Sequence, residues 1–281
     1  YKIKELRARE FRNTVELVNN GFYHTEEGDR IVLKDYNEMI KGTRYYSSEF
    51  SVDDICPMRC STRVEVVNAD CIYEGVRLLE MGYNPAILNM ASRQNPGGGV
   101  TRGAGAQEET IFRRTNIFRS LYQFVPYAGQ YGVKQSPFQY PMDRNFGGIY
   151  SPSVTIFRED ERNGYKLMQI PRAVAFISVA GMNRPKLDNA GMIDDTLVEP
   201  IKNKMRTIFR IGLKHGHDSL VLGALGCGAF CNPPEHIARL FHEVMVFAIL
   251  EDHNSHRRHN FEGNFLPFQR EFGNFLGCTL M

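Results

Sequence analysis

The residues best equipped for chemistry are Gln107, Glu108 and Glu109, which close a segment, Leu88 to Thr110, carrying Gly97, Gly98, Gly99, Gly103 and Gly105. Two neighbouring carboxylates can divide labour, one holding hydroxyl groups while the other donates a proton to a leaving oxygen. A positioned acid lowers a barrier by roughly 3 to 5 kcal/mol. Acidic residues in the first turn of a helix are otherwise ordinary partners of the helix dipole. That dipole also favours the carboxylate, opposite to what an acid needs, so burial, the neighbouring charge and a ligand's phosphates must raise the pKa again. Consecutive glycines at a strand's end admit φ > 0 and let backbone approach a ligand, with N–H donors exposed to phosphate or ribose oxygens. The pattern favours a nucleotide-like ligand, although the spacing is neither GxxxxGK[ST] nor GxGxxG.

A second glycine-rich turn, Leu222 to Pro234, contains Gly226, Cys227, Gly228, Ala229 and Phe230 and again carries a strand into a helix. Two such turns can clasp one diphosphate, and Phe230 is placed to lie against a sugar or base. The pairs Cys56/Cys60 and Cys227/Cys231, with His253, His256 and His259, offer metal-ligand atoms. Their spacing is not CxxC or HExxH, and packing and surface roles outweigh a metal. The six cysteines read as reduced thiols.

These residues need elements to hold them. Leu6, Phe11, Val15 and Val18 predict an amphipathic N-terminal helix over residues 2–20. Residues around Ile31 to Lys34 suggest a hairpin, and 56–62 a loop. Val64 to Asn68 reads as a strand, Ile72 to Met81 as a helix and Ala86 to Ala91 as a buried strand, a βαβ signature. A long helix is expected after Gln107, with Ile111, Phe118, Leu121, Tyr122 and Val125 inward and Arg113, Arg114 and Arg119 elsewhere. Residues 131–150 read as irregular. Val154 to Phe157, Ala173 to Val179 and Ser219 to Leu225 read as buried strands, and Asp194 to His215 as a helix. A last helix follows Asn232-Pro-Pro, with Asn232 as its cap and Leu240, Phe241, Val244, Met245 and Ala248 buried. A Phe-rich tail, Phe261 to Phe275, is expected to pack back on the core. Strands alternating with helices predict an α/β sandwich.

The 281 residues, 42% hydrophobic and 23% charged, exclude fibrous and disordered classes. A net charge of +2 argues against a general or sequence-specific nucleic-acid binder, and no run of 18 apolar residues supports a membrane span. Tyr1 to Arg7 lacks the apolar stretch of a secretory signal, so the cytoplasm is the default location; the missing initiator Met leaves a trimmed leader open.

Gly97-Gly98-Gly99, seven intervening residues and Gln107-Glu108-Glu109 resemble the GGG…QEE signature of poly(ADP-ribose) glycohydrolases. Asn95-Pro96 and Gly226 to Phe230 are similar to the compact bacterial-type branch, and the likeness runs from Val64 to Ala248. The resemblance implies a macrodomain-like three-layer α/β/α sandwich with a mixed central sheet, an N-terminal helical extension over 1–63 and a catalytic domain over 64–281 with its tail. It implies Glu109 as the acid and then the base for water, Glu108 on ribose hydroxyls, and Gln107 positioning the loop. Gly97, Gly98, Gly99 and Val100 would surround the distal ribose with Asn95 as a hydroxyl partner. Gly226, Gly228 and Ala229 would give N–H groups to the diphosphate, with Cys227 acting through backbone, Phe230 near the ribose and Asp70 on the adenine amino group. No cofactor or metal is implied. The partners would be poly(ADP-ribose) or ADP-ribosylated protein, with ADP-ribose as product and the enzyme a monomer. Removal of single ADP-ribose units, and ADP-ribose binding without hydrolysis, are the competing readings.

Overall fold

The computed structural model describes residues 2–33, 37–52, 63–244 and Arg270. The expectations for Cys56, Cys60, the loop 56–62, Met245, Ala248, the three histidines at 253, 256 and 259 and the Phe-rich tail lie outside the described residues.

Helix α1, Lys2–Asn20, buries Phe11 and Val18 along one stripe. It is followed by a hairpin of β1, Phe22–His24, and β2, Arg30–Val32, which turns through Gly28 at φ +91. Then come α2, Asn37–Gly42, and β3, Arg44–Tyr46. The site-bearing part of the chain is α3, Cys71–Glu80; β4, Pro85–Met90; α4, Gln107–Arg114; α5, Phe118–Leu121; β5, Gly148–Arg158; β6, Leu167–Val179; α6, Asp195–Lys214; β7, Ser219–Val221; and α7, Pro234–His242.

Five strands form one sheet in the order β3-β5-β6-β4-β7. The first two pairings are antiparallel, while β4 runs parallel to both β6 and β7, so the sheet is mixed. Alternation along each strand feeds two cores. Ile87, Val174 and Phe176 face the side covered by α1, α3, α4 and α5, where Phe11, Ile72, Ile111 and Phe118 pack. Ala86, Leu88, Ala175, Ile177 and Val179 face the other side, against Ile201, Met205 and Ile208 of α6 and Leu240 and Phe241 of α7. Helix, sheet and helix layers follow, as the resemblance implies.

Five expectations are corrected. Of Val64 to Asn68, Val64 and Val66 are buried, but only Val64 carries a β-bridge, so this stretch is not a strand. The long helix after Gln107 is broken. It stops at Arg114 because Thr115 turns extended (φ −139, ψ 171) and bridges to Ile156, while Asn116 exchanges hydrogen bonds with Thr155. The apolar period continues past the break because α5 returns to the same core. Arg113 and Arg114, expected off the apolar face, are wholly buried. The strand at Ser219 ends at Val221, and Asn232 does not cap α7; Pro233 holds that position with Pro234 in the first turn.

Candidate active site

The glycine segment leaves β4 and returns as α4, and Gln107 ties the two together. Its Nε2 donates to the Leu88 carbonyl (2.7 Å) and its Oε1 accepts the Met90 N–H (2.8 Å), so the amide pairs with β4 as a neighbouring backbone would. The next two side chains turn inward. Glu108 Oε1 accepts from the Gly97 N–H (3.0 Å) and Asn89 Nδ2 (3.4 Å), and Oε2 from the Ser92 N–H (2.7 Å). Glu109 Oε1 accepts from the Gly99 N–H (2.9 Å), and Oε2 from the N–H of Ala106, the residue capping α4 (3.0 Å). Both carboxylates are buried, at 4% and 7% exposure. Burial lifts the Glu108 carboxyl to about 8, with the Glu109 charge adding to the rise, against the N–H groups of Ser92 and Gly97 that favour its ionised form.

The glycines are dictated by this packing. Gly98 sits at φ +54, and a Cβ there would stand 2.5 Å from Glu109 Oε1; at Gly97, φ +78, it would stand 2.8 Å from the Phe112 ring. One expectation fails here. The first turn does not expose its N–H donors: Gly97 and Gly99 spend theirs on the glutamates, Gly98 on the Asn95 carbonyl and Val100 on that of Gly97. This turn fixes the two carboxylates with its own N–H groups.

The second turn is built differently. Gly226 is left-handed, φ +76, and Asn232 Nδ2 gathers the carbonyls of Met182 (2.6 Å), Gly226 (3.0 Å) and Phe230 (3.3 Å). The Cys227 N–H is spent on Ala224, while those of Gly226, Gly228 and Ala229 meet no acceptor among the described residues. Gly181, at the end of β6, packs its backbone on Gly226, where a Cβ would come within 3.0 Å.

A cavity of about 360 Å³ joins these parts. Its wall includes Gly98, Gly99, Gln107, Glu108, Glu109, Gly226, Gly228, Ala229, Phe230 and Asp70, so residues far apart in the chain are brought together. Asn95 is exposed and off this wall, and Gly97, Val100 and Cys227 are buried behind it. Asp70 has a double role: its Oδ1 accepts from the Ile72 (3.0 Å) and Tyr73 (3.2 Å) N–H groups at the start of α3, and both oxygens meet Arg114 Nη1 at 2.9 Å. The sequence reading missed Arg114, Asn89, Ser92 and Gly181. For Gly181 the signal was present, a glycine at the carboxyl end of a buried strand; for Arg114 there was none, because its partner lies 44 residues away.

Among the described residues no group of three His, Cys, Asp or Glu side chains is placed to hold a metal, and no helix is long and apolar enough to cross a membrane.

A mixed sheet between helix layers, with strand-end glycine turns around two buried carboxylates, defines a macrodomain-like glycosidase. The family described as "Microbial-type PARG, catalytic domain" matches residues 11–159, and the chain belongs to this family of poly(ADP-ribose) glycohydrolases. Among solved structures, the poly(ADP-ribose) glycohydrolase of Thermomonospora curvata bound to the inhibitor ADP-HPD is 26% identical, covering 95% of this chain and 99% of its own, with a TM-score of 0.73. That of Deinococcus radiodurans in complex with ADP-ribose is 27% identical over 88% of this chain and 100% of its own, with a TM-score of 0.67. No curated protein matches.

Proposed function

We propose that the chain cleaves the ribose–ribose O-glycosidic bonds of poly(ADP-ribose) and releases ADP-ribose, with Glu109 as the acid. The observation that carries this is the pair of buried carboxylates on the wall of one cavity, each held at both oxygens by N–H donors so that neither can swing away. Glu109 keeps spare lone-pair capacity on both oxygens, since each accepts a single hydrogen bond from the described residues. It protonates the departing ribose oxygen as the bond to the anomeric carbon breaks. The oxocarbenium-like ribose is then captured by water that the same carboxylate deprotonates. Glu108 faces the ribose hydroxyls, its carboxyl lifted above the ordinary range by burial and by the neighbouring Glu109.

The unspent N–H groups of Gly226, Gly228 and Ala229 receive the diphosphate, Phe230 lies along the sugar, and Asp70 accepts from the adenine amino group. The ADP-ribose complex of the Deinococcus radiodurans relative supports this choice of ligand. The chemistry needs no metal or redox cofactor, because proton transfer and a positioned water account for the hydrolysis.

The test is turnover of labelled poly(ADP-ribose) by Glu109→Gln and Glu109→Ala beside the parent, with ADP-ribose affinity measured by calorimetry. The expected result is a fall in kcat of about 10²- to 10⁴-fold with affinity nearly kept. Release continuing unimpaired in both variants would move the acid role to Glu108, whose raised pKa suits it. Tight binding without turnover by the parent would make the protein a reader of ADP-ribose.

A further inference from the structure

The catalytic segment has an outer wall that the proposed chemistry does not use. Helix α1 packs on residues 100–102, and at the two glycines that follow it leaves no room for a side chain. Gly103, at φ +74, stands where a Cβ would lie 2.0 Å from the Lys4 carbonyl oxygen, and a Cβ on Gly105 would lie 2.3 Å from Arg7 Nη1 and 2.5 Å from its Cζ. Arg7 is 8% exposed and does not float: its Nε and Nη2 donate to the two oxygens of Glu161 at 2.7 and 2.8 Å, in the turn between β5 and β6.

The contact closes on itself. Tyr165 donates its hydroxyl to Glu161 Oε1 (3.3 Å), Arg113 Nε donates to that hydroxyl (2.8 Å), and Arg113 Nη1 donates to the Ala104 carbonyl (2.7 Å). The Ala104 carbonyl is thus bonded by Arg113 while Arg7 abuts Gly105, and the two guanidinium groups are linked through Tyr165 and Glu161. The next residue, Ala106, gives its N–H to Glu109 Oε2, and Ala104 gives its own to the carbonyl of Gly99, whose N–H holds Glu109 Oε1.

We infer that Arg7 is a positioning residue for the reaction: fixed by Glu161, its guanidinium is the surface against which residues 104–106 are set, and through them the Glu109 carboxylate. This rests on the reading of Glu109 as the acid. Displacement of a catalytic group by about 1 Å costs on the order of 10²-fold in rate, whereas the diphosphate turn and Asp70 do not touch Arg7.

The experiment compares Arg7→Ala, Arg7→Lys and the exchange Arg7→Glu with Glu161→Arg, measuring kcat and KM on labelled poly(ADP-ribose), ADP-ribose affinity by calorimetry, and melting temperature. Arg7→Ala is expected to lose about 10- to 100-fold in kcat with ADP-ribose affinity within about threefold. Arg7→Lys, which still packs on Gly105 and pairs with Glu161, is expected to fall between. The exchange restores the ion pair and the melting temperature but not kcat, because the guanidinium then sits on the far side of the pair from Gly105. Recovery of kcat together with melting temperature in the exchange, or an unchanged kcat in Arg7→Ala or Arg7→Lys, would overturn the inference. Should Arg7→Ala not fold, Arg7→Lys and the exchange decide it. Turnover surviving in Glu109→Gln and Glu109→Ala is a separate failure, of the acid assignment and not of the Arg7 contact.

Discussion

Glu108 and Glu109 are adjacent in sequence, yet they meet different surroundings. Glu108 is held at the mouth of β4 by Asn89, Ser92 and Gly97, and Glu109 by the two ends of the loop, Gly99 and Ala106. Burial raises Glu108 from its ordinary 4.5 to about 8, and the consequence for stability has a definite sign. The folded protein holds this proton more tightly than the unfolded chain, so the contribution is fully present below pH 4.5 and is lost as pH rises through 8. Melting temperature measured from pH 4.5 to 8.5 without ligand should therefore fall more steeply for the parent than for Glu108→Gln, whose amide does not titrate. Parallel curves would remove the raised pKa. Glu161 is depressed, mainly by its hydrogen bonds to Arg7, and acts in the opposite sense, but identically in both proteins, so the difference isolates Glu108. The two glutamates were legible in the sequence because triple glycine and paired acids are local signals. Arg7, Arg113 and Arg114 were not, since a buried guanidinium is explained only by partners such as Glu161, Tyr165 and Asp70 that the fold delivers from elsewhere.

At the scale of elements, the two glycine turns do different work although they look alike in sequence. One bends its donors inward on the glutamates; the other is pulled taut from behind by Asn232, and its Gly226, Gly228 and Ala229 N–H groups meet no acceptor among the described residues. Asn232 is 1% exposed. Asn232→Ala takes the side-chain donor from three carbonyls, of which Gly226 keeps the Asn232 backbone N–H, Phe230 keeps that of Arg184 and Met182 loses its partner; it is expected to cost about 1 to 3 kcal/mol of stability, with ADP-ribose affinity about tenfold weaker. Calorimetric titration checks this, and unchanged affinity would detach the turn from the ligand. Apolar runs such as Ala86 to Ala91 announced the buried strands, because a parallel strand covered on both faces has no polar alternation. Helix continuity after Gln107 was misread for a related reason: Phe118, Leu121 and Tyr122 return to the same core as Ile111, so burial keeps its period across a break made by the Thr115–Ile156 bridge. Hydrophobic spacing reports which core a residue enters, not whether the backbone between two residues is continuous.

Across the whole molecule, α1 is bound into the core on one face of the sheet. Phe11 lies among the rings of Phe112, Phe118, Tyr122 and Tyr131, edge-on to Phe118 and Tyr122, and Thr14 and Asn13 meet the buried Arg158 on β5. Phe11→Ala is expected to cost about 3 to 5 kcal/mol, a large part of the roughly 5 to 15 kcal/mol that holds such proteins folded. Urea unfolding should show one transition at a lower midpoint. A separate early transition, with the sheet unaffected, would mean that α1 folds apart from the rest. The grip on Glu109 from Gly99 at one end and Ala106 at the other turns the chain between them into a gauge. Its letters can be rewritten wherever Lys4 and Arg7 leave room, but its count cannot, since one residue inserted or deleted would carry the Glu109 carboxylate off its station.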